Sequence, residues 1–499
     1  MVSAQMKSGL LMGFGSFMVV TGAIMAVFWP SIFFAQLRRM MTLSPTSTSF
    51  GIWREVPIPM YLECFMFNIT NVDDIKAGKD VMLEVEQFGP YVYREFHLKE
   101  NITWNGNNTV TFYNKRSWIF QPEMSNGSLS DLITSINPII ATVAYVLRHQ
   151  PEYLRLPVDI FMRMYHEDLF LTANVSSWLF DGIDDPILDL AQRFPDLPID
   201  IPFDKFGWFY TRNLSLEFDG VFLMNTGAGD FSQLGNVEKW KNSNTTVFRD
   251  ECGEVRGSTG ELWAPELGQP EVTIFAPDIC TYMVLSKSGP VRIQDIDGVQ
   301  YAANDSLFDN GHNYPHMACY CDEVRDENCL PAGALNVSAC RFGAPAFVSQ
   351  PHFYNMQPHY ANKIKGLRPT EDMNFKLSLE MYTGMPLQVA AQLQINLLVR
   401  HVTAFTLNNQ LPDPDTLVPM FWFRQEVMMD DHFSRLARFA LNLKSGMPYG
   451  FYALTVIGVV LLIVGIVILI RMLLRSSEDP PILANQQDEN DEASNSRTK

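Results

Sequence analysis

Two long uncharged stretches, one towards each end, constrain this chain more than any other feature. Ser8 to Leu37 lies between Lys7 and Arg38, with an apolar centre from Leu10 to Trp29. Ser445 to Ile470 lies between Lys444 and Arg471, and its centre, Phe451 to Ile470, is mostly Val, Ile, Leu and Gly. A hydrocarbon core of ~30 Å needs ~20 helical residues, so each stretch is long enough to span it. The first also exceeds the ~7–15 residues of a secretory h-region, which favours an uncleaved anchor. The chain then divides into an N-terminus at 1–8, a transmembrane helix at 9–31, an ectodomain at 32–448, a second transmembrane helix at 449–470 and a tail at 471–499.

Basic residues orient the spans only weakly. Lys7 and Arg38-Arg39 flank the first on opposite sides, whereas Arg471 and Arg475 favour a cytosolic C-terminus. Glycosylation sequons speak more clearly. They begin at Asn68, Asn101, Asn107, Asn126, Asn174, Asn213, Asn244, Asn304 and Asn336, all between the spans. That confinement marks the intervening segment as lumenal or extracellular and both termini as cytosolic. Six of the seven cysteines cluster at Cys252, Cys280, Cys319, Cys321, Cys329 and Cys340. In an oxidising compartment such a set reads as disulfides, and spacing alone does not choose the pairing. Cys64 is left over, in an apolar stretch where it can serve as a small buried hydrophobe. His312 and His316 with Cys319 and Cys321 have zinc-ligand chemistry, but the compartment and the other cysteines favour disulfides.

With 37 Lys+Arg against 55 Asp+Glu, the chain repels nucleic acid. Strand patterns dominate the ectodomain. Val85 to Phe96 is aromatic and β-branched, broken at Gly89-Pro90, and Val110 to Tyr113 follows a turn at Asn105-Gly106. Phe375 to Met381 alternates apolar and polar residues. After Thr383-Gly384, Leu387, Val389, Ala391, Leu393, Ile395, Leu397 and Val399 alternate with Gln388, Gln392, Gln394 and Asn396. Period two places one apolar face on a core, and the tight turns imply antiparallel pairing. Between Ser128 and Arg193 the pattern reads as helical, beginning at Ser130-Asp-Leu-Ile, with Ile139 to Leu147 apolar on nearly every side. Gly253 to Gly260 reads as a turn, and Asp184-Asp185 as a helix cap. No nucleophile elbow, zinc-protease motif or phosphate loop is found, so neither an enzyme nor a cofactor is expected.

The order of short motifs resembles the class B scavenger receptor and fatty-acid translocase family, which includes the lysosomal integral membrane glycoprotein and insect sensory-neuron membrane proteins. The similarity rests on Gln87-Phe-Gly-Pro-Tyr-Val-Tyr93, Asp181-Gly-Ile-Asp-Asp-Pro186 (Asp181 where Trp is common), and Gly207-Trp-Phe-Tyr with Asp219-Gly220, Thr226-Gly227 and Trp240. It continues through Gly343-Ala-Pro, Ser349-Gln-Pro-His-Phe353, Gly366-Leu-Arg-Pro369, Thr383-Gly384 and Gln394-Ile-Asn396. The resemblance implies an α+β ectodomain: a twisted antiparallel β-barrel core with an apolar tunnel, and a membrane-distal helical bundle at about 128–195. It implies the disulfides Cys252–Cys319, Cys280–Cys340 and Cys321–Cys329. It also implies ligand binding at the apex, where this chain carries Ile139, Ile140, Val143, Val146, Leu147, Arg148, His149, Arg155, Arg163 and His166. Relatives that bind anionic lipoproteins present lysines there, whereas this chain reads Met164-Tyr-His-Glu-Asp168. His149 and His166 could couple release to acidic pH.

The partners so implied are lipids, fatty acids, sterols or carotenoids and lipoproteins, with lipid passing downhill through the tunnel at the plasma membrane or the endosome–lysosome membrane. Homo-oligomers fit the same picture. Glu478, Ile482 and Leu483 resemble an acidic dileucine sorting signal for a clathrin adaptor and endocytosis. Two rival expectations are a lysosomal sorting receptor that binds a lumenal protein at the apex, and a sensory accessory protein that delivers hydrophobic odorants.

Overall fold

The computed structural model describes residues 2–193, 203–265, 269–321 and 329–478. They fall into two units, Leu37–Ala437 and the paired terminal segments Met1–Gln36 with Arg438–Lys499. Ile482 and Leu483 lie outside the described residues, and Glu478 is the last residue of its helix.

One large antiparallel sheet organises Leu37–Ala437. Its strands run in the order Glu271–Ala276, Thr281–Ile293, Ile296–Ala302, Lys376–Glu380, Pro386–Arg400, Asp415–Met428, Met60–Ile69, Leu83–Trp104, Thr109–Phe120, Val221–Asn225 and Val237–Trp240. The two ends of this path meet through Gly257 and Ser258. Val237 N donates to Gly257 O at 2.9 Å, Ser258 N donates to Thr273 O at 3.0 Å, and Phe275 N donates to Ser258 O at 2.9 Å. The sheet therefore closes into a barrel and leaves neither terminal strand as a free edge. The glycine-rich segment around Gly257 is thus the closing piece of the barrel as well as a turn.

Gly89-Pro90 does not end its strand. Leu83–Trp104 runs through, and the pairing register with Met60–Ile69 shifts opposite that dipeptide, between Cys64 and Met66. The strand Pro386–Arg400 also departs from the simple alternation. Leu393 and Leu397 are buried, but so are Gln392, Gln394 and Asn396. A side branch, Ala346–Ser349, pairs with this strand and helps cover its polar residues. Asn396 Nδ2 donates to Phe347 O at 3.2 Å and to Ser349 Oγ at 3.0 Å, so the polar face is satisfied by protein rather than by water.

The segment from Ser128 to Arg193 is mixed rather than wholly helical. Leu132–Ile136, which includes the end of the Ser130-Asp-Leu-Ile stretch, is a strand paired with Phe170–Asn174. Five residues are too few for periodicity to separate a strand from a helical turn, and cross-strand pairing decides. Helices follow at Pro138–Leu147, Glu152–Tyr165 and Pro186–Arg193. Asn137 caps the first, its Oδ1 accepting from Ile139 N and Ile140 N, with Pro138 at the first helical position. Nearly all of that helix is buried, which accounts for its lack of a polar face. Asp185 Oδ1 accepts from Ile187 N at 2.8 Å and caps the third helix.

Two continuous helices, Val2–Met41 and Asp431–Glu478, run through the terminal segments, and Gln5–Met41 and Asp431–Arg475 are long and apolar enough to cross a membrane. They fit a two-span topology. Small residues let them touch closely. A Cβ on Gly15 would lie 2.8 Å from Gly458 O, and one on Gly458 would lie 2.8 Å from Gly15 O. Ser8 Oγ donates to Gly465 O at 2.8 Å, and the Trp29 and Phe451 rings meet at 5.7 Å. This is how helices associate in lipid, where apolar burial supplies little drive between them.

Candidate functional site

Inside the larger unit lies a cavity of about 200 Å³. One wall comes from the strands Ala346–Ser349, Pro386–Arg400 and Asp415–Met428, through Val348, Ile395, Leu397, Phe421 and Phe423. Period two aims alternate residues such as 395 and 397, or 421 and 423, at the same space. The opposing wall is Ile139 and Thr142 of the helix Pro138–Leu147, together with the aromatic run Phe206, Trp208 and Phe209. Trp208 packs against Phe421 with ring centroids at 5.1 Å, and Phe206 meets Trp208 edge to face, also at 5.1 Å. The Phe203 and Phe342 rings, 5.2 Å apart, form another part of the lining.

One region of the wall is charged. Arg212, Asp278 and Arg341 line the cavity. Arg212 pairs with Asp278 at 2.7 Å and with Asp219 at 2.9 Å, and Arg116 pairs with Asp219 at 2.9 Å. Burial alone would raise the Asp278 carboxyl, but the guanidinium groups of Arg212, Arg116 and Arg341 hold it below the usual carboxylate range. The charged group continues along the strand Leu83–Trp104, with Glu95 Oε1 3.9 Å from Arg116 Nη1. His97 Nε2 lies 2.7 Å from Glu95 Oε1, and Lys99 pairs with Glu261.

The motif residues Gln87, His352, Gln394 and Asn396 form a structural network rather than lining the cavity. His352 backbone N donates to Gln394 Oε1 at 2.6 Å, and Gln394 Nε2 donates to Asn396 Oδ1 at 2.7 Å. Gln87 Oε1 accepts from Trp422 Nε1 at 2.8 Å and lies 2.6 Å from His352 Nε2. Their regular order in the sequence reflects one buried polar core holding strands together.

Of the residues assigned to the apex, Ile139 lines the cavity and Ile140, Val143 and Leu147 are buried in the core. Val146 is half-buried. Arg148 stacks on the Tyr145 ring at 3.7 Å, and Arg155 donates to Arg148 O. Arg163 pairs with Asp159 at 2.9 Å, His149 is exposed, and His166 is half-buried with Nε2 at 3.2 Å from Asp185. The set therefore does not form one surface. Disulfides join Cys252 to Cys319, Cys280 to Cys340 and Cys321 to Cys329, and Cys64 is free and buried. With Cys319 and Cys321 so paired, neither thiolate is available to the neighbouring histidines as a zinc ligand. Among the sequon asparagines, Asn101, Asn107, Asn126, Asn213 and Asn244 are exposed, and Asn68, Asn174, Asn304 and Asn336 are half-buried.

Residues 13–469 match the model of the CD36 family. The chain belongs to that family. It is 33% identical to scavenger receptor class B member 1 of Bos taurus, covering 92% of this chain and 88% of the relative. It is also 33% identical to protein peste of Drosophila melanogaster (81% and 72% covered) and 29% identical to lysosome membrane protein 2 of Homo sapiens (84% and 86%). CD36-family membership and the two apolar terminal helices make the chain a scavenger-type membrane receptor. The cavity residues of this member were missed as a group because their lining elements are far apart in sequence. The aromatic run Phe206 to Tyr210 was the one local signal.

Proposed function

We propose that this receptor takes a lipid with an apolar chain into the barrel cavity and passes it downhill, through a tunnel, to the bilayer. The supporting observation is the cavity itself, walled by Ile395, Leu397, Phe421, Phe423, Phe206 and Trp208. An acyl chain gains ~0.8 kcal/mol per CH₂ on leaving water, so an apolar enclosure offers a path without an energy source. The chain carries no nucleotide-binding loop, and transfer in this reading follows the lipid's gradient. Both termini then face the cytosol, the sequons face the lumen or the cell exterior, and the tail residues Glu478, Ile482 and Leu483 serve endocytic sorting through an adaptor.

Filling the cavity tests this. Ala344→Trp and Ile395→Trp place bulk in its wall. Uptake of a fluorescent lipid by cells expressing the full chain should fall several-fold, with surface delivery and thermal unfolding unchanged. Undiminished uptake in both folded variants contradicts the reading.

A second reading, docking of a lumenal protein, is favoured by one observation. The helix Glu152–Tyr165 exposes Tyr153, Leu156, Ile160 and Met164, and Tyr153 and Met164 are each 71% exposed. That spacing makes an apolar stripe along one helix face.

A further inference from the structure

The residue that closes the barrel is tied to charged side chains on a strand elsewhere in the sheet. Ser258, which bridges the two ends of the sheet, anchors a tight turn. Gly260 N donates to its Oγ at 3.0 Å, and that hydroxyl donates to Leu262 O at 2.6 Å. Glu261 rides on this turn. Its Oε2 accepts from Thr259 Oγ1 at 2.6 Å, and its Oε1 takes the ammonium of the fully buried Lys99. His97 Nδ1 lies 3.7 Å from the same Oε1. Lys99 and His97 belong to the strand Leu83–Trp104, which pairs with Met60–Ile69 and Thr109–Phe120 rather than with the closing segment. Side chains alone therefore join that strand to the seam.

His97 stands between two carboxylates, one on its own strand and one on the seam. Its Nε2 lies 2.7 Å from Glu95 Oε1, and its Nδ1 faces Glu261. Only the imidazolium carries an N–H on both nitrogens, whereas the neutral ring turns a lone pair on one of its partners. The shorter contact, to Glu95, keeps the proton, so loss of charge falls on Glu261. Glu95 also accepts from Gln425 Nε2 at 2.7 Å and lies 3.9 Å from Arg116. Arg116 sits opposite His97 on the neighbouring strand and repels the charged ring, but Asp219 at 2.9 Å and Asp278 at 3.7 Å engage its guanidinium. Burial opposes the imidazolium, and Glu95 and Glu261 outweigh it.

We propose that His97 and Glu261 form a proton-operated clasp, which holds the barrel seam shut in acid and lets the closing segment loosen as pH rises. When the seam opens, His97 returns towards its ordinary titration near ~6.5, whereas the closed seam keeps the proton to higher pH. The clasp is therefore fully engaged below ~6.5 and is lost as pH rises through the raised value. Lys99 holds the same carboxylate as a second cation, so the seam loosens rather than separates. The inference is independent of what the cavity holds.

The test is hydrogen exchange of the full chain in detergent, read by mass spectrometry at pH 5.5 and pH 9 after correction for the intrinsic rate of amide exchange. In the wild type, peptides covering 256–264 should exchange several-fold faster at pH 9 than at pH 5.5, with those from the strand Pro386–Arg400 unchanged. His97→Gln should erase that difference. Glu261→Gln, which removes the carboxylate that Nδ1 faces, should erase it too. Equal protection of 256–264 at the two pH values in the wild type overturns the inference, and this arm needs no variant to fold. A difference that persists in either folded variant overturns it, as does one spread evenly over the barrel.

Discussion

His352 shows how much a single side chain can be asked to hold. It is 3% exposed, with a backbone φ of 51°, a region that side chains other than glycine rarely occupy. Its Nδ1 accepts from Arg368 N at 3.1 Å, so Nε2 carries the proton and donates to Gln87 Oε1. Protonating Nδ1 would set two N–H groups against each other. Burial, then the Arg368 charge, accordingly hold the imidazole at about 4. Between that value and the unfolded one the unfolded chain binds the extra proton. Stability from His352 therefore falls as pH falls from ~6.5 through ~4, by on the order of 3 kcal/mol. His97 acts in the opposite sense. Burial disfavours its charge, but Glu95 and Glu261 raise it, so its contribution is present in acid and lost as pH rises. We predict that His352→Gln flattens the loss of thermal stability between pH 7 and pH 5, read by thermal unfolding of the full chain at both values. An unchanged slope would show that His352 is not the group responsible. The sequence placed Gln87, His352, Gln394 and Asn396 in motifs but not in contact. Local patterns carry no information on which buried polar atoms meet across 265 residues, as His352 and Gln87 do.

At the scale of elements, periodicity was legible wherever one face of a strand or helix set it. The alternation of Phe375 to Val399 emerged as two paired strands, Lys376–Glu380 and Pro386–Arg400, and the Asn105-Gly106 turn as a hairpin. It failed where tertiary partners decided. Leu132–Ile136 became a strand because Phe170–Asn174 lies beside it, and Gln392, Gln394 and Asn396 were buried because a side branch covers them. The closing segment was the hardest to foresee, since one residue between two strands has no period. Its geometry yields a comparison. Gly257 and Gly260 both have φ of +100°, but a Cβ at Gly257 would lie 2.7 Å from Thr273 O whereas one at Gly260 meets nothing within 4 Å. Both alanine variants incur a left-handed strain of about 1–2 kcal/mol. Gly257→Ala should be less stable than Gly260→Ala by about 1–3 kcal/mol in addition, because it forces the closing strands apart. Equal melting temperatures for the two would mean that the barrel does not depend on this closure.

Across the whole molecule, the two apolar terminal helices were readable from charge-free length, the β character of the segment between them from alternation, and the family from the order of motifs. The cavity was not. Its lining comes from residues near 139, 206, 346, 395 and 421, each with an ordinary core composition. Apolar residues that fill a core and those that enclose a void are of the same types, and only the fold separates them. The central claim is that this void holds lipid. The most direct measurement is mass spectrometry of organic extracts from the purified full chain, compared with the Ile395→Trp variant prepared identically in the same lipid-free detergent. The account predicts a discrete lipid co-purifying with the wild-type chain in near-stoichiometric amount and lost from the variant. Absence of lipid from the wild type, or equal retention by the folded variant, would contradict it.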